Sequence, residues 1–272
     1  MKITVLSENT GCEKCEGEHG LSLYISFDSY KILLDAGQSS LFLENARKLH
    51  IDLAEVDFAV LSHSHYDHAD GFSHFFEVNE HAPLYVRKEV SEIYYSMHEE
   101  GLKYIGPKVG MLQKYEDRIL FVNKEFFPLE NGSMFLIPHS TKGLHAIGEK
   151  AKLFRKEKDS LLPDDFSHEQ SLVINTDCGL VIFNSCSHGG PATIMNEVQK
   201  YNRTSKIYAY IGGFHLSKYS SEDVLAFADT LKNAEVERII TGHCTGHEAF
   251  EILRNCLGDK VEEMHSGMEI LL

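Results

Sequence analysis

The stretch from Ala59 to Gly71 reads Ala-Val-Leu-Ser-His-Ser-His-Tyr-Asp-His-Ala-Asp-Gly, and it ends an apolar run in four side chains able to bind metal: His63, His65, Asp67 and His68. Residues 63 and 65 are two apart, so in an extended chain both imidazoles project the same way and can share one ion. Asp67 and His68 follow where the chain must turn, and can address a second ion nearby. By this chain's own His and Asp frequencies, the pattern H-x-H-x-D-H arises by chance in roughly a few such sequences per thousand. The competing reading is a polar loop in a chain that carries 16 histidines.

The chemistry open to such a cluster is hydrolytic. A bound divalent ion lowers the pKa of its water to about 7 and polarises the oxygen of the group under attack. Zinc is expected first, with one or two ions bound, and the ligand types alone do not choose it over Mn or Fe.

A strand over Asp57 to Leu61 would deliver this cluster, and the same arrangement recurs downstream. Leu180 to Asn184, Ile207 to Ile211 and Arg238 to Ile240 are β-rich runs. They end in turns bearing His188, His215 and His243, and each turn leads into a helical pattern: Pro191 to Tyr201, Ser221 to Asn233 and Glu248 to Cys256. Ligands in α/β folds gather at the carboxyl ends of strands, so the four histidine-bearing turns are expected at one edge. His74, His98, His139 and His265 lack this setting and read as core or surface residues.

The remaining elements frame that edge. Strands are expected over Lys2 to Leu6, Leu21 to Phe27 and Tyr30 to Leu34, followed by a helix from a Ser39 cap to about Leu49. Gly71 to Val78 reads as a short helix, Leu84 to Val86 as a strand, and Arg87 to Glu99 as an amphipathic helix on Val90, Ile93, Tyr94 and Met97. Ile119 to Val122, Phe126 to Leu129, Met134 to Ile137 and Gln170 to Asn175 read as strands. Val261 to Met264 and Met268 to Leu272 finish the sheet. Thr141 to Ser167, polar and poor in periodicity, reads as a long loop or lid. One domain over residues 1–272 is expected, with a lid or loop insertion around 100–167.

Three smaller features could touch a ligand. His19, between Gly17 and Gly20, sits where a loop could lean over the metal site or simply turn. Lys103, Tyr104 and Lys108 form a basic patch that could hold a substrate anion, or an ordinary exposed loop. Cys12-Glu-Lys-Cys15 could bind metal or exchange thiols, but no second C-x-x-C completes a four-thiolate site.

Composition narrows the partners. A net charge of −15 argues against nucleic acid, whose phosphates need clustered Lys and Arg. It leaves room for a small anionic substrate held by metal. No apolar run is long enough to span a bilayer and no leader pattern opens the chain, so the cytoplasm is the expected compartment. Six cysteines in a reducing compartment would remain thiols or ligands.

The His63 to His68 run resembles the metal-binding motif of the metallo-β-lactamase-fold superfamily. That resemblance implies an α/β fold, a four-layer αββα sandwich of two mixed β-sheets flanked by helices. It also implies that His63, His65 and His188 hold a first metal, that Asp67, His68 and His243 hold a second, and that Asp35 supports the ligands from behind. The stretches Gly-Glu-His-Gly-Leu-Ser at 17–22, Cys-Ser-His-Gly-Gly at 186–190, Gly-Gly-Phe-His-Leu at 212–216 and His-Cys-Thr-Gly at 243–246 resemble one subgroup more closely. It comprises metal-dependent hydrolases similar to the archaeal synthase that joins a dihydropterin-methyl diphosphate to a ribofuranosylaminobenzene phosphate. Where the wider superfamily has an aspartate bridging both metals, this chain has His215, and a neutral imidazole offers one lone pair and cannot bridge as a carboxylate does.

The leading expectation is a metallohydrolase acting on a phosphate ester, with carboxylic esters or lactones next. Asp67 would also orient the hydroxide, and His19 and His215 would contact substrate or its developing charge. A transferase condensing a pterin-methyl diphosphate with an arylamine riboside phosphate is the second reading, and a non-catalytic metal-binding sensor the third.

Overall fold

The computed structural model describes residues 1–129 and 132–272. In chain order the strands of the first half are β1 (Lys2–Ser7), β2 (Ser22–Phe27), β3 (Tyr30–Leu34), β4 (Phe58–Val60), β5 (Leu84–Arg87), β6 (Tyr94–His98), β7 (Gly101–Tyr104) and β8 (Ile119–Val122). Then come β9 (Phe127–Pro128), β10 (Met134–Pro138), β11 (Leu153–Glu157), β12 (Ser160–Pro163), β13 (Gln170–Thr176) and β14 (Gly179–Phe183). The last are β15 (Ile207–Ile211), β16 (Arg238–Thr241), β17 (Val261–Glu263) and β18 (Glu269–Leu271). The helices are α1 (Leu41–Lys48), α2 (Tyr66–Ala69), α3 (Phe72–Val78), α4 (Met111–Lys114), α5 (Leu144–Ala151), α6 (Pro191–Tyr201), α7 (Ser221–Asn233) and α8 (His247–Leu257).

These elements group into two compact units. The first takes Met1–Asn123, Thr141–Glu169 and Ser266–Leu272, and the second takes Lys124–Ser140 and Gln170–His265.

In the first unit a mixed sheet runs β18-β1-β2-β3-β4-β5-β8. Strand β2 alternates buried Leu23, Ile25 and Phe27 with half-buried Tyr24 and Ser26, as a strand with one wet face must. From β3 onward the pairing turns parallel, with Ile32 opposite Phe58 and Leu34 opposite Val60. Strand β4 is buried on both faces and is accordingly a plain apolar run. Its core joins Leu33, Ala59 and Leu84 to Phe42, Phe72 and Phe75 of α1 and α3. A four-stranded sheet, β12-β11-β6-β7, completes this unit.

The second unit mirrors that plan. Its sheet runs β17-β16-β15-β14-β13-β10-β9, parallel from β14 to β17 and antiparallel on the other side. Helix α7 starts where Ser220 caps the Asp223 amide, carries Glu222 and Asp223 in its positive first turn, and buries Val224, Ala228 and Leu231 at helical spacing. Helix α6 begins on Pro191, whose fixed φ suits that position, and buries Ile194, Met195 and Val198. Both pack into a core with Val173, Ile182, Tyr210 and Leu253.

Three expectations are corrected. Arg87 to Glu99 is not a helix, because β6 pairs Tyr95 with Tyr104 on one side and Tyr94 with Arg155 on the other. Cross-strand pairing, with β7 through a tight hairpin and with β11 from far along the chain, outweighs the helical spacing of Val90, Ile93, Tyr94 and Met97. Thr141 to Ser167 is not one irregular loop; it holds α5 and the β11–β12 hairpin. The last strand, β18, pairs with β1 in the first sheet and does not extend the second. No helix among the described residues is long and apolar enough to cross a membrane.

Candidate functional site

In the first unit, β4 hands the chain to Ser62–His65 and α2, so the H-x-H-x-D-H residues cross a strand-to-helix turn. His63, His65, Asp67 and His68 are all buried. The His63 ring centroid lies 4.6 Å from that of His65 and 4.2 Å from that of His68. Gly71 closes the turn against β3: a Cβ there would sit 1.9 Å from the carbonyl oxygen of Ala36, so no other residue fits.

Asp35, at the end of β3, underlies this cluster. Its Oδ1 accepts from the Ser62 amide at 2.7 Å and its Oδ2 accepts from the Ser62 hydroxyl at 2.7 Å. Oδ2 also meets Nδ1 of His68 at 2.8 Å. A hydroxyl has one proton, and Ser62 gives its own to Asp35, so at the 2.8 Å contact with Nδ1 of His63 it must accept. Both rings therefore carry their proton on Nδ1 and present Nε2 with its lone pair, the arrangement that carboxylate partners impose on metal-binding histidines. His65 is pushed down to about 3, by burial first and then by the His168 imidazole, so it is neutral at physiological pH. Imidazole binds metal in that form. The donor set of the first unit, neutral imidazoles beside the Asp67 carboxylate, fits a borderline divalent ion.

His19 takes the position expected of a loop leaning over this cluster. Its Nε2 is 3.2 Å from Oδ2 of Asp67, which is itself 3.6 Å from Nε2 of His68. The Lys103 ammonium lies over the Tyr66 ring, 5.6 Å from its centroid. Tyr104 points elsewhere on β7 and donates its hydroxyl to Pro107 O, with burial raising its pKa. Asp70 accepts from the Lys108 amide at 2.6 Å, tying this loop to α2. Its carboxyl is pushed up to about 6 by burial, against the opposing pull of that hydrogen bond.

Sequence reasoning missed His168 and Asp164. His168 accepts the Ser64 amide proton at Nδ1, 2.9 Å away, so its Nε2–H points to Asp164 Oδ2 at 3.1 Å. Burial alone would raise the Asp164 carboxyl, but His168, His65 and the Phe166 amide hold it below the usual carboxylate range. The signal was an Asp and a His four apart just before the apolar β13 run.

The second unit places three of the histidine-bearing turns side by side. His188, His215 and His243 follow β14, β15 and β16, three adjacent parallel strands. The His188 and His215 rings have centroids 4.5 Å apart. Ser187, His215 and His243 all have φ between 51° and 56°, a left-handed conformation that non-glycine residues adopt at about 1–3 kcal/mol and that clusters at functional sites. Ser187 is held there by hydrogen bonds from its amide to Asn184 Oδ1 and from its hydroxyl to Gly213 O. Cys186 and Cys244, also unforeseen, sit among these rings. Burial would raise the Cys244 thiol, but side-chain hydrogen bonds with Cys186 and His215 and the nearby His243 imidazole hold it well below the usual thiol range. Cys186, His188 and His215 form one group of mutually close ligand atoms, and Cys186, His243 and Cys244 another.

Mixed parallel and antiparallel sheets with flanking helices, and histidines at strand ends, make this an α/β fold. Residues 30–103 match the model described as Beta-lactamase superfamily domain. It is similar to the 7,8-dihydropterin-6-methyl-4-(beta-D-ribofuranosyl)-aminobenzene-5'-phosphate synthase of Methanocaldococcus jannaschii, with 28% identity over 92% of this chain and 88% of that one. The crystal structure of Tm1679, described as a metal-dependent hydrolase of the beta-lactamase superfamily, superposes with a TM-score of 0.85 and 29% identity, covering 100% of this chain and 99% of the other. Zn(2+)-bound PqqB from Methylobacterium extorquens shares the fold, with a TM-score of 0.55 and 11% identity over 100% of both chains.

Proposed function

We propose that this chain is a metallohydrolase acting on a small anionic ester, a phosphate ester first. The observation that carries the reading is the Asp35–Ser62 pair, which fixes His63 and His68 in the tautomer that presents Nε2. By the resemblance, His63, His65, Asp67 and His68 would be metal ligands in the first unit, and His188 and His243 in the second. Such an ion, zinc by our reading, supplies acidified water and polarises the ester oxygen.

The chain's own residues supply the rest. Asp67 orients the attacking water and passes its proton towards His19, whose Nε2 lies 3.2 Å away and whose half-exposed ring can exchange that proton with solvent. Lys103, over Tyr66, offers a cation to an anionic substrate in a chain of net charge −15. His215, beside His188, meets the charge that develops on the substrate.

A transferase reading rests on the M. jannaschii synthase. The substrates would then be a pterin-methyl diphosphate and an arylamine riboside phosphate, and metal held by the same residues would bind the departing diphosphate. One experiment separates the two. Protein purified without chelator is analysed for metal, then assayed on phosphomonoesters, phosphodiesters, carboxylic esters and lactones, and in parallel for condensation of the pterin and arylamine pair. Hydrolysis lost in His63→Ala supports the first reading; condensation without hydrolysis replaces it with the second.

A further inference from the structure

Cys186 and Cys244 have no part in that ligand pattern, yet their placement is specific. Cys186 lies three residues beyond the end of β14 and Cys244 three beyond the end of β16, with β15 between these strands. The Cys244 sulfur receives the His215 amide at 3.2 Å and lies 3.8 Å from Cys186 O. A Cβ on Gly213 would come within 2.5 Å of that sulfur and 2.9 Å of Ser185 O, so glycine there leaves the room the thiol occupies. Cys186, His243 and Cys244 offer ligand atoms all within 4.8 Å of one another. Two sulfurs on one tetrahedral zinc would stand roughly 3.8 Å apart.

Cysteine is often buried as a small apolar side chain. Here the neighbours are imidazoles and the His215 amide, which donates to the Cys244 sulfur, and these suit a metal-bound sulfur better than a methyl group. Two thiolates and an imidazole form a soft donor set, unlike the imidazole and carboxylate set of the first unit, and soft donors select thiophilic ions over Mg²⁺ or Mn²⁺.

We propose that Cys186, Cys244 and His243 form a thiolate–imidazole site for a thiophilic ion of the Zn²⁺ or Cd²⁺ class. Each thiol binds as thiolate, and its proton passes to solvent. The site shares only His243 with the hydrolytic reading and stands without it. If both hold, an ion on the sulfurs draws His243 away from the second hydrolytic ion.

The test uses the full chain, reduced and stripped of metal, titrated with Cd²⁺ and followed by ultraviolet thiolate-to-metal charge transfer. The expected result is a band of two-thiolate intensity that persists in Cys12→Ser/Cys15→Ser and in Cys178→Ser/Cys256→Ser. Cys186→Ser/Cys244→Ser should abolish it and weaken Cd²⁺ binding by ~100-fold or more, beyond what loss of a supporting residue causes. Should that variant misfold, alkylation of the native chain with peptide mapping still decides: Cd²⁺ should protect Cys244, which is partly exposed. A folded native chain with no band, a band surviving the double variant, or unchanged Cys244 alkylation would overturn the proposal. A His63→Ala/His65→Ala chain that has lost hydrolysis should keep the band. A band without hydrolysis in the native chain removes the hydrolytic reading alone, and hydrolysis without a band removes this one alone.

Discussion

The imidazole of His168 accepts the backbone proton of Ser64, the residue between His63 and His65, across 104 positions of chain. With Asp164 on its other nitrogen, this ring fixes the amide that separates two candidate ligands. His168→Ala should therefore lower metal affinity by roughly 10–100-fold, as loss of supporting partners typically does. Calorimetric metal titration checks it; unchanged affinity in a folded variant would make His168 a packing residue only.

Asp35→Asn is expected to be more damaging than its size suggests. An amide has one acceptor oxygen, so its NH₂ must face either the Ser62 amide proton or both the Ser62 hydroxyl and the Nδ1 proton of His68. Stability should fall by about 1–3 kcal/mol, and His68 should lose its fixed tautomer. Chemical denaturation and ¹⁵N NMR of the histidine rings would show both effects; an unchanged His68 tautomer would contradict the scheme.

The pH dependence of the metal-free chain follows from His65. Its folded value of about 3 lies below the ordinary 6.5, so the unfolded chain binds the proton more readily. Its contribution is therefore intact above about 6.5 and declines as pH falls toward 3, by up to about 1.4 kcal/mol per pH unit. Denaturation of stripped protein at a series of values from about pH 7 down to about pH 4 should show this slope, and His65→Gln should flatten it. Equal slopes would mean the burial of His65 is not maintained without metal.

Gly189 and His139 should be coupled. A Cβ at Gly189 would lie 2.4 Å from the His139 ring, so Gly189→Ala should destabilise by about 1–3 kcal/mol through overpacking. In the Gly189→Ala/His139→Ala pair much of that loss should vanish. Additive effects would place the strain elsewhere.

Legibility in the sequence followed how local the deciding forces are. Ile207–Ile211, Pro191–Tyr201 and Ser221–Asn233 have the same bounds in the sequence reading and in the structure, because the burial pattern lies within each segment and the helix starts are marked locally by Pro191 and by Ser220. Strand β6 was misread because one of its partners, Arg155, lies far outside any window around residue 94, although the hairpin to Tyr104 is local. The same holds for the site. His63, His65 and His68 were legible because they share one motif, and His188, His215 and His243 because each ends a strand. His168, Asp164, Cys186 and Cys244 gain meaning only from neighbours brought by the fold.

Asp35 reaches His68 directly and His63 through the Ser62 hydroxyl, and the direction of every proton along that line is settled by the protein alone. Both rings are held by the same carboxylate, His68 directly and His63 through one hydroxyl. An arriving ion would thus meet a receptor already oriented, with little rearrangement left for the encounter itself. The speed of capture would then be set by how fast the ion sheds its own water.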